Sequence, residues 1–310
     1  MVARWITRLR AIRWKYGLIT LGLVVSLIAF VSYWFTEPAA DPATVAALRT
    51  EVIPAKKSTA DSKSESNIPI WPLTELTGNE AKALNLKVLE HVAKRLSQVQ
   101  DYTATFLKQE RIKGTLGPEQ RIVLKVRHHP FSVYFLFIEP QKGKEVVYAE
   151  GRHDNKLIAH GGGFSRLLIP RLAVAPDHPL ALADSRHAIT EAGLAALTQR
   201  LIGFRKLDLK DQEAVTILDR VTDSQNRPRL RSLHLHKHQN PRRPFARVEV
   251  LYDPATFFPV QIRSFDWPKA DETGELLLAE AYSYDEIKLD VTLSALDFDP
   301  ANPAYSFHRY

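Results

Sequence analysis

The sequence predicts an α+β fold: a curved antiparallel sheet forming an unclosed half-barrel, with helices packed on its concave side, preceded by one transmembrane helix. Three observations predict it. There is one long uncharged apolar segment, there are two stretches of helical periodicity, and in about ten short stretches the apolar residues tend to alternate with polar ones. Strands joined by short hairpins are typical of antiparallel sheets, and helices cover their apolar face. The 310 residues suffice for one domain with a large core.

The N-terminal segment is predicted to be a membrane anchor. Residues 17–35 carry no charge, and about twenty helical residues span a bilayer core. Five basic residues and no acid lie in residues 1–15. The positive-inside rule therefore places this basic tail in the cytoplasm and everything after the anchor, residues 16–35, across the membrane. The alternative is a signal peptide cut near Ala39 or Ala40, but this apolar core is longer than signal peptides have.

Composition divides the rest of the chain into a linker and a domain. Residues 36–70 are rich in Ala, Ser, Lys and Pro and contain no aromatic residue, so they are predicted to form a flexible linker. Residues 71–310 form the predicted domain. The net charge of +7 comes mostly from the basic tail, and the nearly neutral remainder argues against a nucleic-acid partner. The absence of cysteine excludes disulfides, thiolate metal sites and a catalytic cysteine.

Periodicity locates the elements of this domain. A helix is predicted from Gly78, because Leu84, Val88, Val92 and Leu96 recur every four residues. Strands are predicted at 101–110, 121–126, 131–140, 144–150 and 155–160, and after an interruption at 214–222, 229–238, 245–252, 257–265 and 276–288. The interrupting stretch, residues 165–205, begins with prolines and ends in a second helix, for which Thr190 is the expected N-cap.

Several motifs in this order resemble a known family. The stretches "DYTATFLKQERIKG", "IVLKVRHHPFSVYFLF" and "VVYAEGRHDNKLIAH" are similar to the opening of the periplasmic lipoprotein carriers, the LolA-like superfamily. The tail "LDFDPANPAYSF" resembles their closing strand. More closely, "RHAITEAGLAALTQRLI", "FFPVQIRSFDWP" and "YSYDEIKLD" resemble an uncharacterised bacterial domain family within that fold. The resemblance implies an unclosed barrel that holds acyl chains or other apolar ligands, on the periplasmic side of a bacterial inner membrane.

One position departs from the carrier pattern. The carriers have an arginine immediately before the proline that ends a strand, whereas this chain has His129 there and Arg127 two residues earlier. These two residues are the candidates for a polar mouth. Histidine is a weaker, pH-dependent donor, so the carrier mechanism does not transfer directly. A carrier must also diffuse, so an anchored chain is expected to act in local capture or hand-off.

Apolar sheet residues are the candidates for lining a ligand cavity. Most of them are expected to fill the core, and some should line a cavity if the sheet is an open half-barrel, but the sequence does not say which ones. The candidates are Phe106, Leu124, Val126, Tyr134, Leu136, Phe258, Val260 and Ile262.

The alternating histidines His234, His236 and His238 raise the question of a metal site. Residues two apart on a strand share a face, so three imidazoles could form an open zinc site. The flanking residues are cationic and Leu233 and Leu235 alternate with the histidines, which favours an outward polar face instead. No nucleophile, phosphate-binding or metalloprotease motif occurs. Asp184, Ser185 and His187 lie close in sequence, and a helix entrance explains them as well as a triad does.

The sequence therefore predicts a non-enzymatic membrane-anchored protein without a cofactor. Its half-barrel is expected to bind a lipid, a lipoprotein acyl chain or a lipid-linked glycan, with the inner membrane and an envelope protein as further partners. Two alternatives remain. One is a protein-interaction or sensor module with a filled core, and the weaker one is a zinc hydrolase that uses the histidine row.

Overall fold

The structure is a computed structural model that describes residues 68–163, 171–268 and 276–308. It contains two α-helices, α1 (Gly78–Leu96) and α2 (Leu194–Asp208). The strands are β1 (Leu76–Thr77), β2 (Asp101–Ile112), β3 (Thr115–Leu116), β4 (Gln120–Arg127), β5 (Ser132–Glu139), β6 (Glu145–Ala149), β7 (Leu157–His160), β8 (Leu172–Val174), β9 (Val215–Thr222), β10 (Pro228–Leu235), β11 (Arg247–Tyr252), β12 (Pro259–Phe265) and β13 (Leu278–Leu289).

These strands form one antiparallel sheet that does not close. Its order is β1-β9-β10-β11-β12-β13-β2-β4-β5-β6-β7-β8, with β3 paired to β2. Two meanders, β2–β8 and β9–β13, meet where β13 pairs with β2, for example at Tyr284 opposite Phe106. The open antiparallel sheet, both helices and all ten predicted strands are confirmed, while the short β1, β3 and β8 were not predicted.

Helix α1 forms where the fourfold apolar spacing predicted it. Val88, Leu89, Val92 and Leu96 are buried on one side, and Lys94 and Arg95 lie in the last turn, where cations complement the helix dipole.

Helix α2 begins later than the sequence suggested. Thr190 lies in a 3₁₀ turn, Ile189–Glu191, so its prediction as the N-cap is wrong. Gly193 precedes the helix with a φ of 99°, and a Cβ there would lie 2.6 Å from the Tyr102 hydroxyl. That hydroxyl accepts a hydrogen bond from the Leu194 amide at 2.8 Å. A side chain of the sheet therefore provides the hydrogen-bond acceptor for the first backbone amide of the helix.

Two apolar cores lie on opposite faces of the sheet. The helix-side core joins buried residues of both helices to one face of β2, β4 and β9–β13, and it continues beneath residues 175–193, which we call the insertion. The opposite-face core covers β5, β6 and β7 with the C-terminal segment, residues 290–307. It contains Tyr134, Val147, Ala149, Ile158, Phe298, Tyr305 and Phe307.

The C-terminal segment corrects one expectation. The resemblance implied a closing strand in "LDFDPANPAYSF", but this segment contains 3₁₀ turns at Ala295–Phe298 and Ser306–His308 instead. The turns let Phe298, Tyr305 and Phe307 all face the sheet, which strand alternation would not.

The predicted anchor and most of the predicted linker lie outside the described residues. Within the described ranges, neither helix is long and apolar enough to cross a membrane.

Candidate functional site

The eight candidate cavity residues lie on two faces. Six belong to the helix-side core: Phe106, Leu124, Val126, Phe258, Val260 and Ile262. Tyr134 and Leu136 instead pack in or against the opposite-face core. Strand β5 is covered on both sides, so its alternate residues enter different cores. One ligand surface can therefore include at most the six helix-side residues, and these are at most 8% exposed.

An aromatic group lies at the centre of the helix-side core. The Phe106 ring stacks on Tyr284 at 4.9 Å, on Tyr282 at 5.9 Å and on Phe135 at 6.2 Å between centroids. The insertion reaches this group, because the Tyr284 hydroxyl is hydrogen-bonded to the backbone of Gly193 and the His187 ring lies 6.1 Å from that of Tyr282. The insertion therefore contacts this aromatic group.

Polar side chains attach the insertion to the sheet. Lys144 Nζ lies 2.7 Å from Asp184 Oδ2. Lys108 donates to Ser185 Oγ at 3.0 Å, and the Arg186 amide donates to Glu110 Oε2 at 3.0 Å. The insertion thus rests on apolar residues and is held at its rim by charges.

The most buried of these contacts joins His187 to Glu280. Their Nε2 and Oε2 atoms lie 2.9 Å apart, and the Glu280 side chain is 1% exposed. Burial alone would raise the pKa of Glu280, but the His187 hydrogen bond and the charges of His187, Arg200 and Arg186 lower it to about 2. Burial alone would lower the pKa of His187, but its bonds to Glu191 and Glu280 raise it. Asp184, Ser185 and His187 therefore bind separate sheet residues and form no triad.

The two polar-mouth candidates do not open onto the helix-side core. Arg127 alternates with the buried Val126, and its guanidinium lies 5.0 Å from the Phe298 ring on the opposite face. It also donates to Ser132 Oγ at 3.0 Å. His129 is exposed in the turn between β4 and β5.

The histidine row faces inward at two of its three positions, so the prediction of an outward polar face is wrong for these. His234 is fully buried and bonds Ser232 at 2.9 Å. The His236 side chain is 3% exposed and reaches Asp208 Oδ1 at 3.0 Å. His238 is exposed beside Glu213. Among residues 68–163, 171–268 and 276–308, no group of three or more His, Cys, Asp or Glu could hold a metal ion.

The inward histidines face a charged group on α2. We call Arg205, Asp208, His234, His236 and Arg243 the α2 charge cluster. Arg205 Nη2 lies 3.1 Å from Asp208 Oδ2, and both side chains are 1% exposed. Burial alone would raise the pKa of Asp208, but Arg205, His236 and Arg243 lower it. Burial and the charge of Arg205 lower the pKa of His234 well below its usual value.

A small cavity lies at the edge of this cluster. Its volume is about 10 Å³, room for one water-sized group. Its polar lining consists of Arg205, His236 and Arg243, and its apolar lining consists of Phe204, Pro244, Phe245 and Val248.

A larger depression of about 220 Å³ has a polar lining and lies away from the helix-side core. It is lined by Gln98, Gln100, Asp101, Asp290 and Thr292.

The α2 charge cluster was missed at the level of sequence, although a signal existed. Arg205 follows Leu201 by four residues and Asp208 follows it by seven, which places both on the apolar side of the helix. Charged residues on a buried helical face indicate partners elsewhere in the fold.

The fold and these buried groups define an open antiparallel sheet whose one face is covered by helices and an insertion. The chain belongs to the family described as "Protein of unknown function (DUF1571)", whose model matches residues 99–307. The predicted membership of an uncharacterised domain family is thereby confirmed. Comparison with curated proteins finds no match.

Solved structures of similar proteins superpose weakly. A DUF1329 family protein from Desulfovibrio piger has 9% identity and a TM-score of 0.35, covering 71% of this chain and 97% of that one. Mycobacterium tuberculosis lipoprotein LppX has 10% identity and a TM-score of 0.37, covering 69% and 97%. A LolA superfamily protein from Nitrosomonas europaea has 10% identity and a TM-score of 0.28, covering 69% and 96%. These values describe a likeness of fold and carry no function to this chain.

Proposed function

We propose that the domain binds a lipid or an acylated ligand between the helix-side face of the sheet and its cover, without catalysing a reaction. The observation that carries the proposal is how that cover is attached. Side chains, rather than strand pairing, make the hydrogen bonds and ion pairs that hold α2 and the insertion to the sheet. Such a cover can move without breaking the sheet, and beneath it lies the aromatic group around Phe106.

The helix-side core is filled, so a ligand must displace part of the cover. The partly buried Ala181 and Ala192 of the cover pack against this core. Each CH₂ group of an acyl chain contributes about 0.8 kcal/mol when buried, so a long chain replaces the contacts that these small side chains give up. When the acyl chain takes the place of these side chains, the apolar surface of the sheet remains covered.

The expected anchor and linker would make this binding local. A linker of residues 36–70 would let the domain range tens of ångströms from an inner membrane that supplies the ligand. Capture or hand-off in envelope lipid traffic is the role we propose, with the domain on the periplasmic side.

Native mass spectrometry of the full-length chain, purified from bacterial membranes, tests ligand binding directly. We expect an added mass equal to a lipid that solvent extraction removes. A bare polypeptide mass, together with no uptake of radiolabelled palmitate or hexadecanol, would overturn the proposal. That outcome would favour the alternative of a protein-interaction module, which the fully buried core residues also fit.

A crosslink tests whether the insertion moves. The chain contains no cysteine, so Lys144→Cys with Asp184→Cys can be joined by a short bis-maleimide. The matched control is Lys125→Cys with Asp297→Cys on the opposite face, whose native side chains also lie 2.7 Å apart. We expect the first crosslink to slow palmitate uptake and the control to leave it unchanged. Equal uptake in the two crosslinked variants would show that palmitate uptake does not require the insertion to move.

A further inference from the structure

Asp208 is the one carboxylate inside the α2 charge cluster, and three side chains share it. Arg205 Nη2 lies 3.1 Å from its Oδ2, and Arg243 Nη1 and His236 Nε2 lie 3.5 Å and 3.0 Å from its Oδ1. Arg243 also pairs with Asp211 at the edge of the cluster. The cluster therefore offers more hydrogen-bond donors than its single carboxylate can accept from.

The same residues have donors without acceptors. Arg205 Nε and Nη1 are buried without a hydrogen-bond partner in the described part of the chain, and Arg243 Nη1 makes no hydrogen bond but lies 3.5 Å from Asp208 Oδ1. Leaving a buried guanidinium nitrogen without a hydrogen bond is unfavourable. Both arginines line the small cavity, so an anionic oxygen placed there would meet these donors.

The cavity lies near the surface, and part of its lining is apolar, as contact with an acyl chain requires. Pro244 at its rim is exposed and Phe204 is half-buried. Phe245 and Val248, which also line it, are 6% and 3% exposed and belong to the helix-side core. A ligand could thus place a charged end among the arginines while its chain continues into the apolar interior.

We propose that this cavity receives one anionic oxygen, from the carboxylate or phosphate end of an acyl ligand, and so selects anionic over neutral ligands. The inference rests on the proposed function, because the chain of that ligand lies in the helix-side core. A volume near 10 Å³ admits a single oxygen, so the rest of the ligand lies where the cover has been displaced.

Binding of radiolabelled palmitate and hexadecanol to the full-length chain tests the inference. The two ligands share a chain length and differ in the carboxylate. We expect palmitate to bind about tenfold more tightly or better, as charge-assisted hydrogen bonds allow. Competition by hexadecyl phosphate against inorganic phosphate then separates a lipid head group from a free anion. Equal affinities for palmitate and hexadecanol would overturn the inference and leave the proposed function intact, whereas absence of both would overturn both.

Two neighbouring arginines supply a matched pair of variants. Arg243→Gln removes a cavity donor, and we expect it to weaken palmitate about tenfold while hexadecanol is unchanged. Arg242→Gln alters an exposed neighbour and is expected to change neither. A parallel loss of both ligands in Arg243→Gln would contradict a role specific to the anion. Should that variant misfold, Arg243→Lys keeps the charge without the planar fork and is expected to retain part of the preference.

Discussion

The two covers of the sheet are built differently. On the opposite face, the C-terminal segment stacks Tyr305 on Tyr134 at 4.1 Å and buries Phe298 completely. On the helix side, α2 buries Arg205 and Asp208, and charges hold the rim of the insertion. Dense aromatic packing is lost only when the whole segment detaches. A buried ion pair adds little net stability but is costly to break on one side, so it fixes where α2 sits.

From this difference we expect the C-terminal cover to stay in place and the helix-side cover to move as a unit. Four changes test this difference, starting with the largest expected effect.

Asp208→Ala should have the largest effect. It leaves Arg205 and His236 buried without their carboxylate, and removing one partner of such a pair costs about 4 kcal/mol. Urea unfolding followed by the fluorescence of Trp71, which is 3% exposed, measures the loss. Glu213→Ala removes the exposed partner of Lys237 and should cost less than about 1 kcal/mol. Equal losses in the two variants would show that α2 does not depend on its buried pair.

Phe298→Ala should cost about 3 kcal/mol, because it empties a fully buried site beneath the C-terminal segment. Leu296→Ala, in the same 3₁₀ turn but 49% exposed, is the control and should have little effect. Palmitate binding should be unchanged in both variants. If Phe298→Ala reduced that binding in the folded protein, the division of the two faces would be wrong.

Acid should weaken the attachment of the insertion through Glu280. Its pKa is lowered from 4.5 to about 2 in the folded state, so its contribution is present above about pH 4.5 and is lost as the pH falls towards 2. Glu280→Gln should therefore flatten the decline in stability between pH 5 and pH 3, as measured by urea midpoints. The exposed Glu75→Gln should leave that slope unchanged. A wild-type slope in Glu280→Gln would contradict this assignment.

Lys144→Gln should have the smallest effect on global stability, less than about 0.5 kcal/mol, because its partner Asp184 is 47% exposed. Its local effect should be clear, since amide hydrogen exchange in residues 175–193 should accelerate. Lys125→Gln breaks the corresponding pair of the C-terminal cover and should leave exchange in residues 290–307 nearly unchanged, because Tyr305 and Phe298 remain packed. Equally faster hydrogen exchange in both segments would show that the two covers are attached in the same way.

Much of the fold could be predicted because the spacing of apolar residues along the sequence indicates which positions are buried. The fourfold spacing of Val88, Val92 and Leu96 predicted α1, and the alternation of Ile122, Leu124 and Val126 predicted β4. The continuous apolar run of β5 is typical of a strand covered on both faces, and its residues do enter two cores. These elements are determined by residues that are neighbours in the sequence.

The site was harder to predict because distant partners determine it. Alternation in β10 showed two faces but not which was buried, and the expected outward histidines face Asp208 and Ser232. For the same reason, Tyr134 of β5 was grouped with cavity candidates of the helix-side core, although it belongs to the opposite-face core. The N-cap failed for a related reason, since the hydroxyl of Tyr102, 92 residues away, replaces Thr190 at the start of α2.

The sheet order has a consequence for the order of synthesis. Strands β2–β8 and β9–β13 each pair mostly with their sequence neighbours, and among the described strands the two halves join through β13 and β2. Until the ribosome has made β13, near residue 289, the newly made chain holds two half-sheets with an unpaired edge on β2. Long-range pairing of this kind is slow, and unpaired edges invite aggregation. A chain truncated before Leu278 would therefore be a substrate for chaperones and proteases rather than a smaller version of the domain.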